Sequence, residues 1–305
     1  MNEDHIQSIR RFNREVTRRI GALSDDYLGR GRSLAESRLL YEIGPDGADV
    51  RALRERLALD SGYLSRLLRS LEAQMLVDVR RSSSDARIRR ARLTAKGRRE
   101  FAALDRRSQT LATTLLDPLG PTQRERLVKA MAEVERLLRA SAVELSVADP
   151  ASPEASACIA EYLQELQNRF EKGFDPRRSV SAEPDEMVPP AGVFLLARLE
   201  GNAIGCGGLK VTSPGEGEIK RMWIAPALRG LGLAQRMLEA LEAHAASMKL
   251  HTLRLDTNRC LVEAHALYLR NGYREIAPYN DNPYADHWFQ KDGINSDHGA
   301  RHDHR

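Results

Sequence analysis

The sequence predicts two domains of different class. The first is mainly helical and built on a helix-turn-helix followed by a β-hairpin; the second is α/β. Three observations predict this. The length of 305 residues suits two domains. The charge is divided: residues 1–145 hold 29 Lys+Arg against 21 Asp+Glu, and the remainder 18 against 22. A strand, a glycine-containing turn and a helix start recur as one unit at 222–241, well after the helix-turn-helix. The predicted boundaries are 1–141, 142–291, and a polar, His-rich tail at 292–305 expected to be disordered.

Composition narrows the function classes. Charged residues make up 30% and apolar ones 42%, as in a soluble globular protein. No apolar run approaches the ~20 residues that span a bilayer. Residues 1–19 are charged throughout and do not read as a signal peptide, so a cytoplasmic address and no membrane partner are expected. Cys158, Cys206 and Cys260 lack C-x-x-C spacing, which indicates buried thiols rather than a disulfide framework or zinc site. No metal is expected from the irregular histidines of the tail. The basic first half is the part suited to a polyanion.

The first half reads in order as follows. Ile6, Ile9, Phe12, Val16, Ile20 and Leu23 recur at helical spacing and predict one long helix over 3–30. A second helix follows Ser33 and stops at Gly44-Pro45. Asp49 caps a short third helix. Leu59-Asp60-Ser61-Gly62 reads as a turn. The next helix turns Leu64, Leu67, Leu68 and Leu71 inward and Ser61, Tyr63, Ser65, Arg66 and Arg69 outward. These two helices form a helix-turn-helix whose second helix enters the major groove of duplex DNA. Strands at 76–81 and 87–93 flank a turn at 82–85. This hairpin carries six arginines between 80 and 92 and one acid, Asp85, a one-sided charge that DNA phosphates offset. Helices follow at 98–116 and from Pro121, where Glu125 lies at capping-box spacing from Thr122. Leu127, Met131, Val134 and Leu138 form an apolar stripe on the last helix.

The recognition stretch Ser61-Gly62-Tyr63-Leu64-Ser65-Arg66, with Asp85-x-Arg87 and Leu93-Thr94-x-Lys96-Gly97, resembles the MarR family of winged helix-turn-helix regulators over roughly residues 5–145. The resemblance implies double-stranded DNA as partner, a homodimer made by the long terminal helices, and Arg87 in the minor groove. Ser61, Gly62, Tyr63, Ser65, Arg66 and Arg69 are then the candidate DNA contacts of the helix, and Arg87 and Arg89 those of the wing.

In the second half, the stretch 143–147 alternates like a strand, and Ser152-Pro153 starts a helix running to about Phe170. A loop spans 173–190. Strands follow at 193–198, 203–210 and 218–224, joined by tight turns. Arg229-Gly230-Leu231-Gly232-Leu233-Ala234 then opens a helix. Glycines at such a turn allow positive φ and close approach of a ligand. The helix start presents N–H groups to an anion, and Arg229 adds a charge suited to phosphate. A P-loop is excluded because no Gly-Lys-Ser/Thr follows. A strand at 252–256, a helix at 262–270 and a terminal strand at 287–290 complete the reading.

Arg229, Gly232 and Ala234 match the [Arg/Gln]-x-x-Gly-x-[Gly/Ala] loop of the GNAT N-acetyltransferases, and the order of elements over 142–291 resembles the same family. The resemblance implies the acyl-CoA N-acyltransferase fold with a mixed, largely antiparallel sheet, acetyl-CoA as cofactor, and a small amine or amino-acid-like acceptor. It places cofactor contacts at Met222, Trp223, Ile224, Arg229, Gly230, Leu231, Gly232, Leu233, Ala234 and Asn258. Tyr268 matches the family tyrosine that supplies the leaving thiolate with a proton. Glu218 lies where one branch carries its base; an ammonium anchor is the alternative for Glu218. The spacing from Asn258 to Tyr268 departs from the family through an apparent insertion at Arg259-Cys260-Leu261. Tyr279, Asn280 and Asn282 are candidates to orient the acceptor, although turn chemistry also explains these residues. The combined expectation is a bifunctional DNA-binding regulator and acetyltransferase. A regulator that senses acetyl-CoA or an amine, and a protein lysine acetyltransferase, are the alternatives.

Overall fold

The computed structural model describes residues 2–81, 88–171, 173–180 and 182–294. The expected hairpin turn at 82–85 and most of the expected tail lie outside them. The chain divides into two compact units, Met1–Lys129 and Ala130–Arg305.

In the first unit, α1 (Glu3–Arg19) is capped by the Asn2 side chain. It ends well before residue 30. Gly21 takes φ +70°, and Asp26 accepts from Gly31 N in a local turn, so polar side chains and glycine terminate a helix that the apolar period alone extends. Helix α2 (Leu34–Ile43) begins with a Ser33–Glu36 capping box. The same Glu36 accepts from Ser70 Oγ at 2.6 Å and Gln74 Nε2 at 3.0 Å, which ties α2 to the helix that ends at Ala73 and to the residue that follows it. Asp49 caps α3 (Val50–Arg56), and Asp60 caps α4 (Ser61–Ala73) through Tyr63 N at 2.8 Å. Ser61 and Gly62 therefore belong to the helix and not to the turn before it. Leu64, Leu67, Leu68 and Leu71 are buried.

A small antiparallel sheet has the order β1 (Ala48–Asp49), β3 (Arg89–Leu93), β2 (Val77–Arg81). The motif at 93–97 is a clamp. Thr94 caps α5 (Ala95–Leu116) at Gly97 N and donates to Met75 O, while Lys96 donates to Gln74 O. A Cβ at Gly97 would lie 1.9 Å from Leu76 O, so only glycine lets the helix approach this closely. Helix α6 (Pro121–Ser141) starts at the proline, so Thr122 is inside it; Gln123 instead accepts from Gly120 N. The division between units falls within α6, earlier than residue 142. Its C-terminal part belongs with the second unit, where Ala140 is buried and Arg236 donates to the Ala140 and Val143 carbonyls.

The second unit is a seven-stranded sheet, in chain order β4 (Glu144–Val147), β5 (Gly192–Leu199), β6 (Asn202–Ser213), β7 (Glu216–Ile224), β8 (Thr252–Thr257), β9 (Arg274–Ile276) and β10 (His287–Asp292). Its spatial order is β4-β5-β6-β7-β8-β10-β9. Among the described residues β7 and β8 are parallel and the other neighbours antiparallel. Alternation along β5 sends Val193, Leu195 and Ala197 into one core with α8 (Leu233–Ser247), and Phe194 and Leu196 into a second with α7 (Pro153–Arg169). Helix α9 (Val262–Arg270) precedes β9.

Candidate active site and nucleic-acid face

The first unit leaves most of the predicted α4 residues exposed. Ser61, Gly62, Tyr63, Arg66 and Arg69 are exposed along α4, and Ser65 is half-buried. The Arg66 guanidinium lies 5.7 Å from the Tyr63 ring centroid. In the hairpin, Arg81 faces Arg89 and Arg80 faces Arg90 across the strands. Like charges at directly opposed positions destabilise a ladder; here Asp78 pairs with Arg80 at 2.6 Å and Arg90 donates to Asp46 O at 3.2 Å. Arg87 lies outside the described residues.

In the second unit the strands part to make a cleft. β7 pairs with β8 from Glu216 to Glu218. Beyond that, β8 continues beside β10 through Thr257, while β7 carries a register shift opposite Cys206 and Gly208 and a positive φ of 56° at Arg221. A cavity of about 560 Å³ opens along the end of β7, lined by Met222, Trp223, Ile224, Arg229, Gly230 and Tyr268, with Gly232, Leu233 and Ala234 from the helix start. Gly230 and Gly232 take φ +76° and +77°, and among the described residues no side chain caps α8. The first-turn N–H groups are thus left for a ligand. Leu231 packs against the core instead of lining the cavity, and the Leu233 side chain is buried.

Arg229 is not a bare charge. It donates to Ile224 O at 2.9 Å and to Glu165 Oε2 at 2.5 Å, and Trp223 Nε1 donates to the same oxygen at 2.7 Å. Burial alone raises the Glu165 pKa, but Arg229 and then Trp223 outweigh it and hold the group below its ordinary value. Glu165 is a residue that sequence reasoning missed, since it lies 64 positions from its partner.

A second cavity, about 130 Å³, contains Lys220, Asp256, Asn258, Asn282, Phe170, Phe174 and Tyr284 in its walls. Met222, Tyr162 and Tyr268 line both cavities. Lys220 Nζ sits 2.8 Å from both Glu218 Oε1 and Asp256 Oδ2. Burial lowers the Lys220 pKa, but Asp256 and then Glu218 reverse this and leave it raised. Tyr279 donates to Glu218 at 2.6 Å, and Asn280 and Asn282 donate to the two Asp256 oxygens at 2.8 and 2.9 Å. The predicted Tyr279, Asn280 and Asn282 thus converge with Glu218 on one buried network. Glu218 itself lines neither cavity; Asp256 is the carboxylate in the wall. Asn258 lines the second cavity and not the first. Its side chain donates to Tyr284 O at 2.8 Å and accepts from Cys260 N at 2.9 Å, so the residues after it form a turn around that side chain. Burial pushes the Tyr268 phenol up, with Asp256 adding to the shift.

Comparison with known proteins agrees with this division. Residues 160–273 match the model of the acetyltransferase (GNAT) family, and residues 30–88 match that of the MarR family. The chain is 37% identical over 128 residues to an IAA acetyltransferase of Azospirillum brasilense, covering 42% of this chain and 82% of that protein. It is 32% identical over 133 residues to an uncharacterized N-acetyltransferase of Schizosaccharomyces pombe, covering 41% and 77%. A GNAT-family acetyltransferase structure from Staphylococcus aureus aligns over 50% of this chain and 99% of that one, with 18% identity and a TM-score of 0.44.

Proposed function

The chain belongs to the GNAT acetyltransferase family, joined to a MarR-family region, and we propose that it binds duplex DNA and acetylates a small amine. The observation that carries the enzymatic reading is that two cavities meet at Met222 and Tyr268, one with an anion cradle and the other with a carboxylate. GNAT enzymes use acetyl-CoA, and the residues present fit it: two glycines of positive φ and an uncapped helix start suit the pyrophosphate. When bound, acetyl-CoA supplies the acetyl thioester.

The chain's own residues have separate tasks. Main-chain N–H groups at 222–224 orient the acyl oxygen. Asp256 anchors the acceptor ammonium and takes its proton. Glu218 and Lys220 hold that carboxylate in place, with Glu218 acting as a positioning residue. Tyr268 Oη stays protonated in its buried setting and delivers the proton needed by the leaving sulfur. Phe170, Phe174 and Tyr284 exclude water; their rings lie 4.7–5.9 Å apart. The small volume of the second cavity supports a small acceptor over a protein lysine. In the other half, α4 enters the major groove and the arginine-rich hairpin contacts phosphate and the minor groove. The apolar residues exposed on α1 and α6, including Ile9, Phe12, Met131 and Leu138, support a homodimer.

Thiol release from acetyl-CoA, measured across a panel of amines, tests the enzymatic reading. Saturable, amine-dependent release is expected. Asp256→Asn lowers kcat/KM by roughly 10²–10⁴-fold and leaves acetyl-CoA affinity unchanged. Absence of release with every amine, despite acetyl-CoA binding, favours the sensor reading.

A further inference from the structure

We propose that His265, Glu275 and His287 form a binding site for a divalent transition-metal ion of the zinc class. One ligand atom from each lies within 4.8 Å of the others. The three residues come from α9, β9 and β10, and the fold brings them to one place. Glu275 is directly opposite Phe289 across the β9–β10 ladder. His287 precedes Phe289 by two residues, so Glu275 and His287 are diagonal neighbours on one face. Helix α9 lays His265 over that face: its ring is 4.7 Å from His287 and 5.3 Å from Phe289. Phe289 is fully buried and gives the site an apolar floor.

The donor chemistry selects the ion. Two imidazoles and a carboxylate are a known zinc donor set that leaves a fourth position for water, whereas magnesium and calcium prefer all-oxygen sites. Zinc bonds of about 2.0–2.2 Å keep ligand atoms within roughly 4 Å of one another, so small side-chain rotations close the observed span. The His287 Nδ1 to Glu275 Oε1 contact of 2.6 Å is by itself an ordinary ion pair or hydrogen bond. It does not account for the second imidazole brought within reach from a separate helix. Tyr268 lies one turn beyond His265 and packs on the same Phe289, at 5.9 Å. A bound ion therefore fastens α9 to β10 beside the tyrosine.

Calorimetric titration of the chelator-treated full chain with zinc chloride tests this. The tail carries His298, His302 and His304, so a variant with all three changed to alanine is titrated as well. That variant is expected to retain one zinc site and a zinc-dependent rise in Tm. Adding His265→Ala, or His265→Gln to preserve volume, weakens binding at least as much as the roughly 10–100-fold typical of losing an outer-shell partner. The proposal is overturned if the tail variant binds no zinc, or if a folded His265 variant binds it unchanged.

Discussion

The interiors of the two units hold different kinds of side chain. Among the described residues of the first unit, the buried side chains of the core are aliphatic apart from Ser37, and the largely covered Arg32 is paired with Glu100 outside that core. The second unit buries Glu218, Lys220, Thr257 and Asn282 beside its cleft. Each half therefore keeps its chemistry in a different place. The proposed duplex DNA would be met on a surface, which a firm core and an exposed face serve. The proposed small amine would be met in a cleft, where the second unit replaces apolar packing with a polar network that must be satisfied internally.

The severest test of that contrast is Lys220→Met. It leaves two buried carboxylates facing one another without their cation and is expected to destabilise the second unit by about 3–5 kcal/mol. Trp223 and Trp288 both lie in this unit, so tryptophan fluorescence during urea unfolding follows it specifically. An unchanged midpoint removes the contrast.

A smaller effect is expected on the surface of the other unit. Arg66→Ala and Arg89→Ala each reduce the slope of log K against log salt for duplex DNA by about 0.9 for every phosphate no longer neutralised. Thiol release stays at the wild-type value. A slope unchanged from wild type in both variants removes the surface assignment, and a fall in acetyl transfer denies the separation of tasks.

The third test uses pH. Hydrogen bonding by Arg30 leads the effects that hold Glu100 below the ordinary carboxylate pKa, despite burial, and Arg32 adds to it. A depressed folded pKa contributes stability that is present above the unfolded value near ~4.3 and lost as pH falls through the folded one. Glu100→Gln therefore lowers stability at pH 7 and flattens the acid arm of the far-UV circular dichroism profile. For Lys220 the sign is reversed. Its raised pKa gives stability that is present below about pH 10.4 and lost as pH rises further. Lys220→Met flattens the alkaline arm of the fluorescence profile and leaves the acid arm of Glu100 in place.

Much of the fold is legible because its signals are local. Ser33, Asp49 and Ser152 stand at the starts of the helices that their positions predict, and the leucines of α4 are buried together. The departures also have local causes. An apolar period over 3–30 carries no trace of Gly21 or of the Asp26 turn, and the capping-box spacing at Thr122 misleads because Pro121 already starts the helix. The two-residue β1 and three-residue β9 are too short to show a period and exist because a neighbouring strand holds them.

Adjacent residues alone specify the exposed row on α4, the arginine-rich hairpin and the glycine turn before α8. Steric freedom, helical period and charge count fix these without reference to the rest of the chain. Which charges meet is settled only when the chain is folded. Folding sets Arg229 against Glu165, places Lys220 between Glu218 and Asp256, and gathers His265, Glu275 and His287 at one edge. Those partners are separated along the chain, and their energies depend on distance and burial, which no local pattern encodes.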